Sequence, residues 1–332
     1  MTFKQIYSDL EKGIYHQIYF LMGDEPYFID KITDYIAKNA LPEDQKVFNQ
    51  MVLYGKDIEA GTIDTTARRF PMMADRMVVI VKEAQNLKKI EDLVYYAQKP
   101  QKSTVLVINY KYKSLHKGKK LYKALKKNAI VLESKKLYDN QVAPWITEYL
   151  KERHFTLDQI ASRMLTDYLG TDLKKIVNEL DKLSLSIPAG SKITPKIIEE
   201  NIGISKDYNN FELQNALTFK NLDKANKIIN YFSKNPKDNP FVLTLTALYF
   251  FFVKVLMVHY AGAKSNSEIA SKIKVNPFFV KDYITASQKY SKVKLLRIIS
   301  LLREYDLKSK GVGNVSANHG ELLKELIFKI IN

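Results

Sequence analysis

The chain has 332 residues, 46% of them hydrophobic and 27% charged, which suits two or three globular domains. It contains no cysteine, which excludes a disulfide frame, a thiolate metal site and a cysteine nucleophile. The formal net charge is +16, weighted to the last third: residues 211–332 hold 19 Lys/Arg against 9 Asp/Glu. Such a field suits a polyanion, most simply nucleic acid, and equally a solvated lysine-rich surface.

In chain order, the N-terminal "MTFKQIYSDLEKG" is polar and amphipathic and lacks the apolar core of a signal peptide. With the missing cysteines this predicts a cytoplasmic protein. "QIYFLM" (17–22) reads as a strand. A helix follows from about Pro26, with Phe28, Ile29, Ile32, Tyr35 and Ile36 at helical spacing. Pro26 suits the first turn of a helix, where its missing N–H costs nothing. "VFNQMVL" (47–53) is predicted as a strand and "DIEAGTIDTTARRF" (57–70) as a helix. "MVVIV" (77–81) is a strand, "LKKIEDLVYYAQ" (87–98) a helix and "TVLVIN" (104–109) a strand. "GKKLYKALKK" (118–127) is a helix and "AIVLES" (129–134) a strand. Short apolar strands alternating with helices predict a parallel sheet covered on both faces, with loop sites at the strands' carboxyl ends.

From about residue 140 the strand signals stop. "QVAPWITEYLKERH", "LDQIASRMLTDYL" and "TDLKKIVNELDKLSL" are amphipathic helices, and "TPKIIEENI" (194–202) adds a short one capped by Thr194. "GISKDYNN" (203–210) reads as a linker, and helices follow to the end. Residues 241–262, "FVLTLTALYFFFVKVLMVHYAG", are long enough to span a bilayer. They carry Lys254 and His259, so a core helix buried on most sides is expected and no membrane partner. The expected division is an α/β domain over 1–139, a small helical domain over 140–207 and a helical domain over 208–332.

The first turn, "MGDEPYFIDK", sits where a phosphate-binding loop would. Such a loop needs glycines whose N–H groups wrap a phosphate, a lysine for the outer phosphates and a Ser/Thr for magnesium. Only Gly23 remains of the glycines. Asp24 and Glu25 place negative charge at the phosphate position, and even well-hydrated like charges about 4 Å apart repel by about 1 kcal/mol. Pro26 removes a donor. The magnesium acid that should end a buried strand is also missing, since "MVVIVKEAQN" continues with Lys82 before Glu83. Gly23, Asp24, Glu25 and Pro26 thus form a degenerate loop, with the two acids placed to favour a helix N-terminus. The histidines, at 16, 116, 154, 259 and 319, form no metal-binding spacing, and no G-x-S-x-G occurs. No catalytic residue, metal or cofactor is expected.

At these motifs the sequence resembles the delta subunit of the bacterial DNA polymerase III clamp loader, over essentially the whole chain. "YFLMGDEPYFIDK" resembles the family's opening strand, turn and helix. "RRFPMMADRMVVIVKEAQ" (68–85) resembles its run from an apolar pair into a buried strand. "LGTDLKKIVNELDKL" (169–183) resembles the second-domain helix motif. "SEIASKIKVNPFFVKDYI" (267–284) and "LLREYDLKSKG" (301–311) resemble two C-terminal stretches.

The resemblance implies an α/β AAA+-like N-terminal domain, a P-loop NTPase fold without a functional P-loop. A small helical lid domain and an all-α collar domain would follow. It implies a non-catalytic subunit that binds the sliding clamp and helps open it for loading onto primed DNA. Other clamp-loader subunits would join through the collar. The implied clamp-binding residues are Phe70, Pro71, Met72 and Met73. The family pair is often Leu-Phe or two aromatics, and Met-Met keeps the apolar character in an adaptable form. Read from the residues alone, Met72 and Met73 also fit as core filling beneath the strand at 77–81.

Two other functions are expected to compete: an active AAA+ replication ATPase and a stand-alone DNA-binding protein using residues 267–284 as a helix-turn-helix. The lysine-rich "KYKSLHKGKKLYKALKK" (111–127) reads as a solvated helix face or a DNA-facing one, and no DNA-contacting residue can be named.

Overall fold

The computed structural model describes residues 1–262, 265–314 and 316–332. The chain divides into two compact units, Met1–Leu137 and Tyr138–Asn332.

The first unit opens with helix α1 (Phe3–Glu11), closed at its start by a capping box between Thr2 and Gln5. Then come β1 (Ile18–Gly23), α2 (Pro26–Asn39), α3 (Glu43–Asn49), β2 (Gln50–Tyr54), α4 (Ala60–Ala67) and β3 (Met77–Lys82). A 3-10 turn at Ile90–Leu93 runs into α5 (Val94–Gln98), followed by β4 (Thr104–Lys111), α6 (Lys120–Asn128) and β5 (Ile130–Ser134). All neighbouring strands pair in parallel, in the order β2-β3-β4-β1-β5.

Period-two alternation divides the strand residues between two cores. Tyr19, Leu21, Val78, Ile80, Val105 and Val107 face Ile29, Ile32 and Ile36 of α2 together with Ile6 and Leu10 of α1. Phe20, Met22, Val79, Val81, Leu106 and Ile108 face α4, α5 and α6 through Ile63, Ala67, Tyr96 and Leu121. Both faces of the sheet are therefore covered, which is why its strands read as continuous apolar runs.

Three boundaries differ from the sequence reading. Val47, Phe48 and Asn49 end α3 instead of opening β2. Helix α4 stops at Ala67, ahead of Arg68, Arg69 and Phe70. The helix expected at 87–98 begins as the 3-10 turn, because Lys89 at φ 52° breaks the α-helical path.

The second unit holds α7 (Asp139–Lys151), α8 (Gln159–Leu169), α9 (Leu173–Ser186) and α10 (Pro195–Ile202), the last capped by Thr194 as expected. Two short strands, β6 (Thr156–Leu157) and β7 (Lys192–Ile193), pair in parallel where no strand was predicted. Two residues are too few for any periodicity to show. Then follow α11 (Asn210–Thr218), α12 (Leu222–Lys234), α13 (Phe241–Tyr260), α14 (Asn266–Ile273), α15 (Val280–Lys289), α16 (Lys292–Ser309) and α17 (His319–Ile331).

The core of these later helices gathers Ile228, Phe232, Leu248, Phe252, Tyr290, Ile298, Leu302 and Leu326. Tyr290 is buried inside it and donates its hydroxyl to the Leu217 carbonyl at 2.8 Å; burial raises its pKa. Helix α13 is long and apolar enough to cross a membrane, but it is not buried on most sides: 39% of its apolar window is buried. Phe241, Leu245, Leu248, Phe252 and Val255 face the core, while Val242, Tyr249, Phe250, Met257 and Tyr260 are exposed.

Candidate functional site

The turn after β1 has the strand-turn-helix path of a phosphate loop with its donors otherwise engaged. Gly23 has φ 122°, and a Cβ added there would lie 1.9 Å from the Ser134 carbonyl oxygen. The Gly23 N–H donates to Lys113 O at 3.1 Å, and the Asp24 N–H to Ser134 O at 2.9 Å. Glu25 is buried and caps α2, its Oε1 accepting from the Tyr27 N–H at 3.1 Å. Ser134 Oγ donates to Glu25 O at 2.7 Å. Pro26 occupies the first helical position, where it was expected. Of the two acids, Glu25 is the cap and Asp24 stays exposed.

The stretch Phe70–Met73 lies between α4 and β3. Because the strands are parallel and Gly23 ends β1 while Met77 begins β3, the two features lie at opposite ends of the sheet. A site at the carboxyl ends was expected; this one is at the amino ends. Phe70 is 79% exposed, Met72 62% and Met73 100%, so the core-filling reading of the methionine pair is excluded. Met73 takes φ 50°, in the left-handed region that costs a residue with a Cβ about 1–2 kcal/mol. The helix has already ended at Ala67, and Pro71 stiffens the loop that follows.

What holds this loop is Asn49, a residue the sequence reading placed inside a strand. It is 1% exposed. Its Oδ1 accepts from the Met72 N–H at 2.7 Å, and its Nδ2 donates to Met72 O at 2.9 Å and to Gln45 O at 3.0 Å. Asn49 is preceded by Val47 and Phe48, 80% and 64% exposed. Only 23 residues of separation, with no motif, link Asn49 to Met72. An asparagine breaking an apolar run just before a strand was the available signal.

Where α4 ends and the loop begins, Arg68 Nε binds Asp64 at 3.0 Å, and its guanidinium donates to Lys99 O at 3.2 Å. The Asp64 hydrogen bond raises the Arg68 pKa further. Thr104 Oγ1 and Tyr96 Oη both donate to Ala67 O, at 2.8 and 3.3 Å, and so fix the carbonyl at the end of α4.

The remaining sequence candidates are dispersed. In the lysine-rich stretch Lys111 pairs with Asp30 at 2.5 Å and Lys119 with Glu91 at 3.8 Å, while Lys120, Lys123, Lys126 and Lys127 are exposed along α6. In 267–284, Ala270, Ile273, Val280 and Tyr283 are buried, and α14 and α15 pack on α13 as part of a helical core. Among the described residues no group of three or more His, Asp or Glu is placed to hold a metal ion.

Comparison with known proteins agrees with this layout. Residues 19–135 match the family described as DNA polymerase III, delta subunit, and residues 207–326 match the DNA polymerase III delta subunit, C-terminal domain. The chain is similar to DNA polymerase III subunit delta of Bacillus subtilis (strain 168), 28% identical over 318 residues, covering 92% of this chain and 91% of the relative. Among solved structures it is similar to the Bacillus subtilis DNA clamp loader delta protein. That match has 25% identity and a TM-score of 0.58, with 99% of each chain covered. The parallel sheet and the first turn fall in the first matched region and helices α11–α16 in the second, and the chain belongs to the family of DNA polymerase III delta subunits.

Proposed function

We propose that this delta-family chain binds the sliding clamp through Phe70, Pro71, Met72 and Met73. It thereby helps open the clamp, or hold it open, for loading onto primed DNA during replication. The carrying observation is the exposed methionine pair on a loop whose backbone is held by a buried asparagine. Single exposed apolar residues are ordinary, but Phe70, Met72 and Met73 are exposed together on one ordered loop, as at an interaction site. Each methionine buried at an interface contributes about 1.5–3 kcal/mol, enough for two to anchor a small contact as hot spots.

The chain acts without hydrolysing ATP. Supporting this, the Gly23 and Asp24 N–H groups are spent on backbone carbonyls, Pro26 has none, and Ser134 fills the space beside Gly23. A triphosphate would have to displace these bonds while facing Asp24. The protein's part is mechanical, and nucleotide-driven rearrangement belongs to neighbouring subunits.

As a delta subunit the chain works within the clamp-loader complex. We assign residues 1–139 to the clamp-contacting domain, 140–207 to the lid and 208–332 to the collar, through which other clamp-loader subunits join. The complex acts in the cytoplasm. The exposed apolar side of α13, in the collar, supports a protein neighbour there.

The test is a clamp pull-down with Met72→Ala/Met73→Ala. Loss of the clamp by a well-folded double variant is expected; unchanged binding sinks the assignment.

A further inference from the structure

We infer that Asn49 is a positioning residue that holds the Phe70–Met73 loop in its partner-binding shape before the partner arrives. The inference rests on the proposed clamp contact and adds to it the device that sets its geometry.

An asparagine side chain offers two N–H donors and an oxygen acceptor, the same groups as a peptide unit. Asn49 uses both donors, on Met72 O and Gln45 O, and one lone pair on the Met72 N–H. This pattern fixes the amide orientation, because the flipped amide would set its oxygen against two carbonyls. The pair of bonds to Met72 reproduces one rung of a β-ladder using a side chain in place of a strand. Since Asn49 is buried, water does not compete for these bonds.

Three consequences meet at the loop. Both main-chain polar groups of Met72 are held, so the peptide planes on either side of it are set. The ring of Pro71 restricts the residue before. Met73, next in line, stays at φ 50° with its side chain wholly exposed. Left-handed backbone in a residue with a Cβ persists only where its surroundings over-determine it, and Asn49 supplies that determination. A loop pre-set in this way loses little conformational freedom on binding, so more of the methionine burial appears as affinity. The third bond, to Gln45 O, anchors the device within α3 and keeps it from swinging with the loop.

The experiment is a double-mutant cycle on the full-length chain, with the purified sliding clamp as the binding probe. Asn49→Ala and Asn49→Ser are each measured alone and combined with Met72→Ala/Met73→Ala. Asn49→Ser is neutral and keeps a hydroxyl that can still donate to Gln45 O while losing both bonds to Met72, so it serves even if the alanine variant does not fold. Each Asn49 variant is expected to speed amide exchange at Met72 by about tenfold or more. Each is expected to weaken clamp binding by about tenfold in the wild-type background. In the Met72→Ala/Met73→Ala background the same change is expected to cost almost nothing, because Asn49 acts through those side chains.

Fully additive losses overturn the inference, since Asn49 would then act on folding and not on the loop. Wild-type exchange at Met72 in both Asn49 variants overturns it as well. If Met72→Ala/Met73→Ala alone leaves clamp binding intact, the contact reading itself fails. The exchange measurement then still reports whether Asn49 shapes the loop, but its docking role is gone.

Discussion

Gly23 and Ser134 are in such close register that the place of a Gly23 Cβ is taken by the Ser134 carbonyl, 1.9 Å away. The same carbonyl accepts the Asp24 N–H, and the two strands pair in parallel up to this point. A glycine that lets backbone wrap a phosphate needs open space in front of it; this one has a neighbouring strand. Gly23→Ala is therefore expected to destabilise the protein by about 3 kcal/mol or more, through collision and through φ 122°. Urea denaturation reads this directly, and a loss below about 1 kcal/mol would show that the turn relaxes freely.

Nucleotide binding follows from the same turn. Titration with a fluorescent ATP analogue and magnesium is expected to give no saturable signal. Glu25→Ala, which removes the α2 cap, is expected to cost about 1 kcal/mol in stability without creating a nucleotide site. Saturable binding abolished by a change at Asp24 or Glu25 would restore the ATPase reading.

Met73→Gly should separate stability from function. Glycine accepts φ 50° without strain, so the variant is expected to be as stable as the wild type or more stable by up to about 1 kcal/mol. It should nevertheless bind the clamp more weakly, having lost one exposed side chain and loosened the loop. A thermal melt beside a binding titration checks both, and a marked fall in stability would mean that Met73 packs inward.

Arg163 in α8 is a heavily engaged charge in the second unit. Its guanidinium lies 4.4 Å from the Phe211 ring and 4.7 Å from the Phe279 ring, donates to Gln214, and faces Asp167 at 3.7 Å. Arg163→Ala is expected to cost about 2 kcal/mol, combining lost cation–π contact with the lost Gln214 and Asp167 contacts. Double-variant analysis with Phe279→Leu should show strong coupling; additive losses would mean that the stack contributes little.

Asp282 gives a pH prediction. Burial raises its carboxyl above the ordinary carboxylate range, with the Arg163 and Lys281 charges only partly offsetting this. The folded state thus holds the proton more tightly than the unfolded chain. Its contribution to stability is largest at low pH and falls as pH rises through the raised value. Asp282→Asn is expected to raise the melting temperature at pH 7, and the gain should vanish where Asp282 is protonated in both states. A gain that persists at low pH would point to a cause other than charge burial.

Much of the fold was legible. The strands at 18–23, 77–82 and 104–111 are buried on both faces, so their apolar runs stand out without tertiary information. Thr194 and Pro195 marked the start of α10 because capping is local chemistry. The boundary at Asn49 was missed because Val47 and Phe48 look like strand residues, yet they end a helix and are exposed. Their placement depends on what the chain packs against, and composition does not record that.

For the site, the sequence alone establishes what the first turn lacks: no Gly-Lys-Ser/Thr and no glycine repeat, with acids and a proline in their place. Those are absences of chemical groups, and residue identity settles them. It also determined that Phe70–Met73 is apolar. Whether that stretch faces the core or the solvent was decided by the tertiary structure, because burial is a property of neighbours distant in the chain. The same holds for Asn49. Its amide meets Met72 only because β2 and β3 pair side by side, bringing the end of α3 next to the loop that leads into β3.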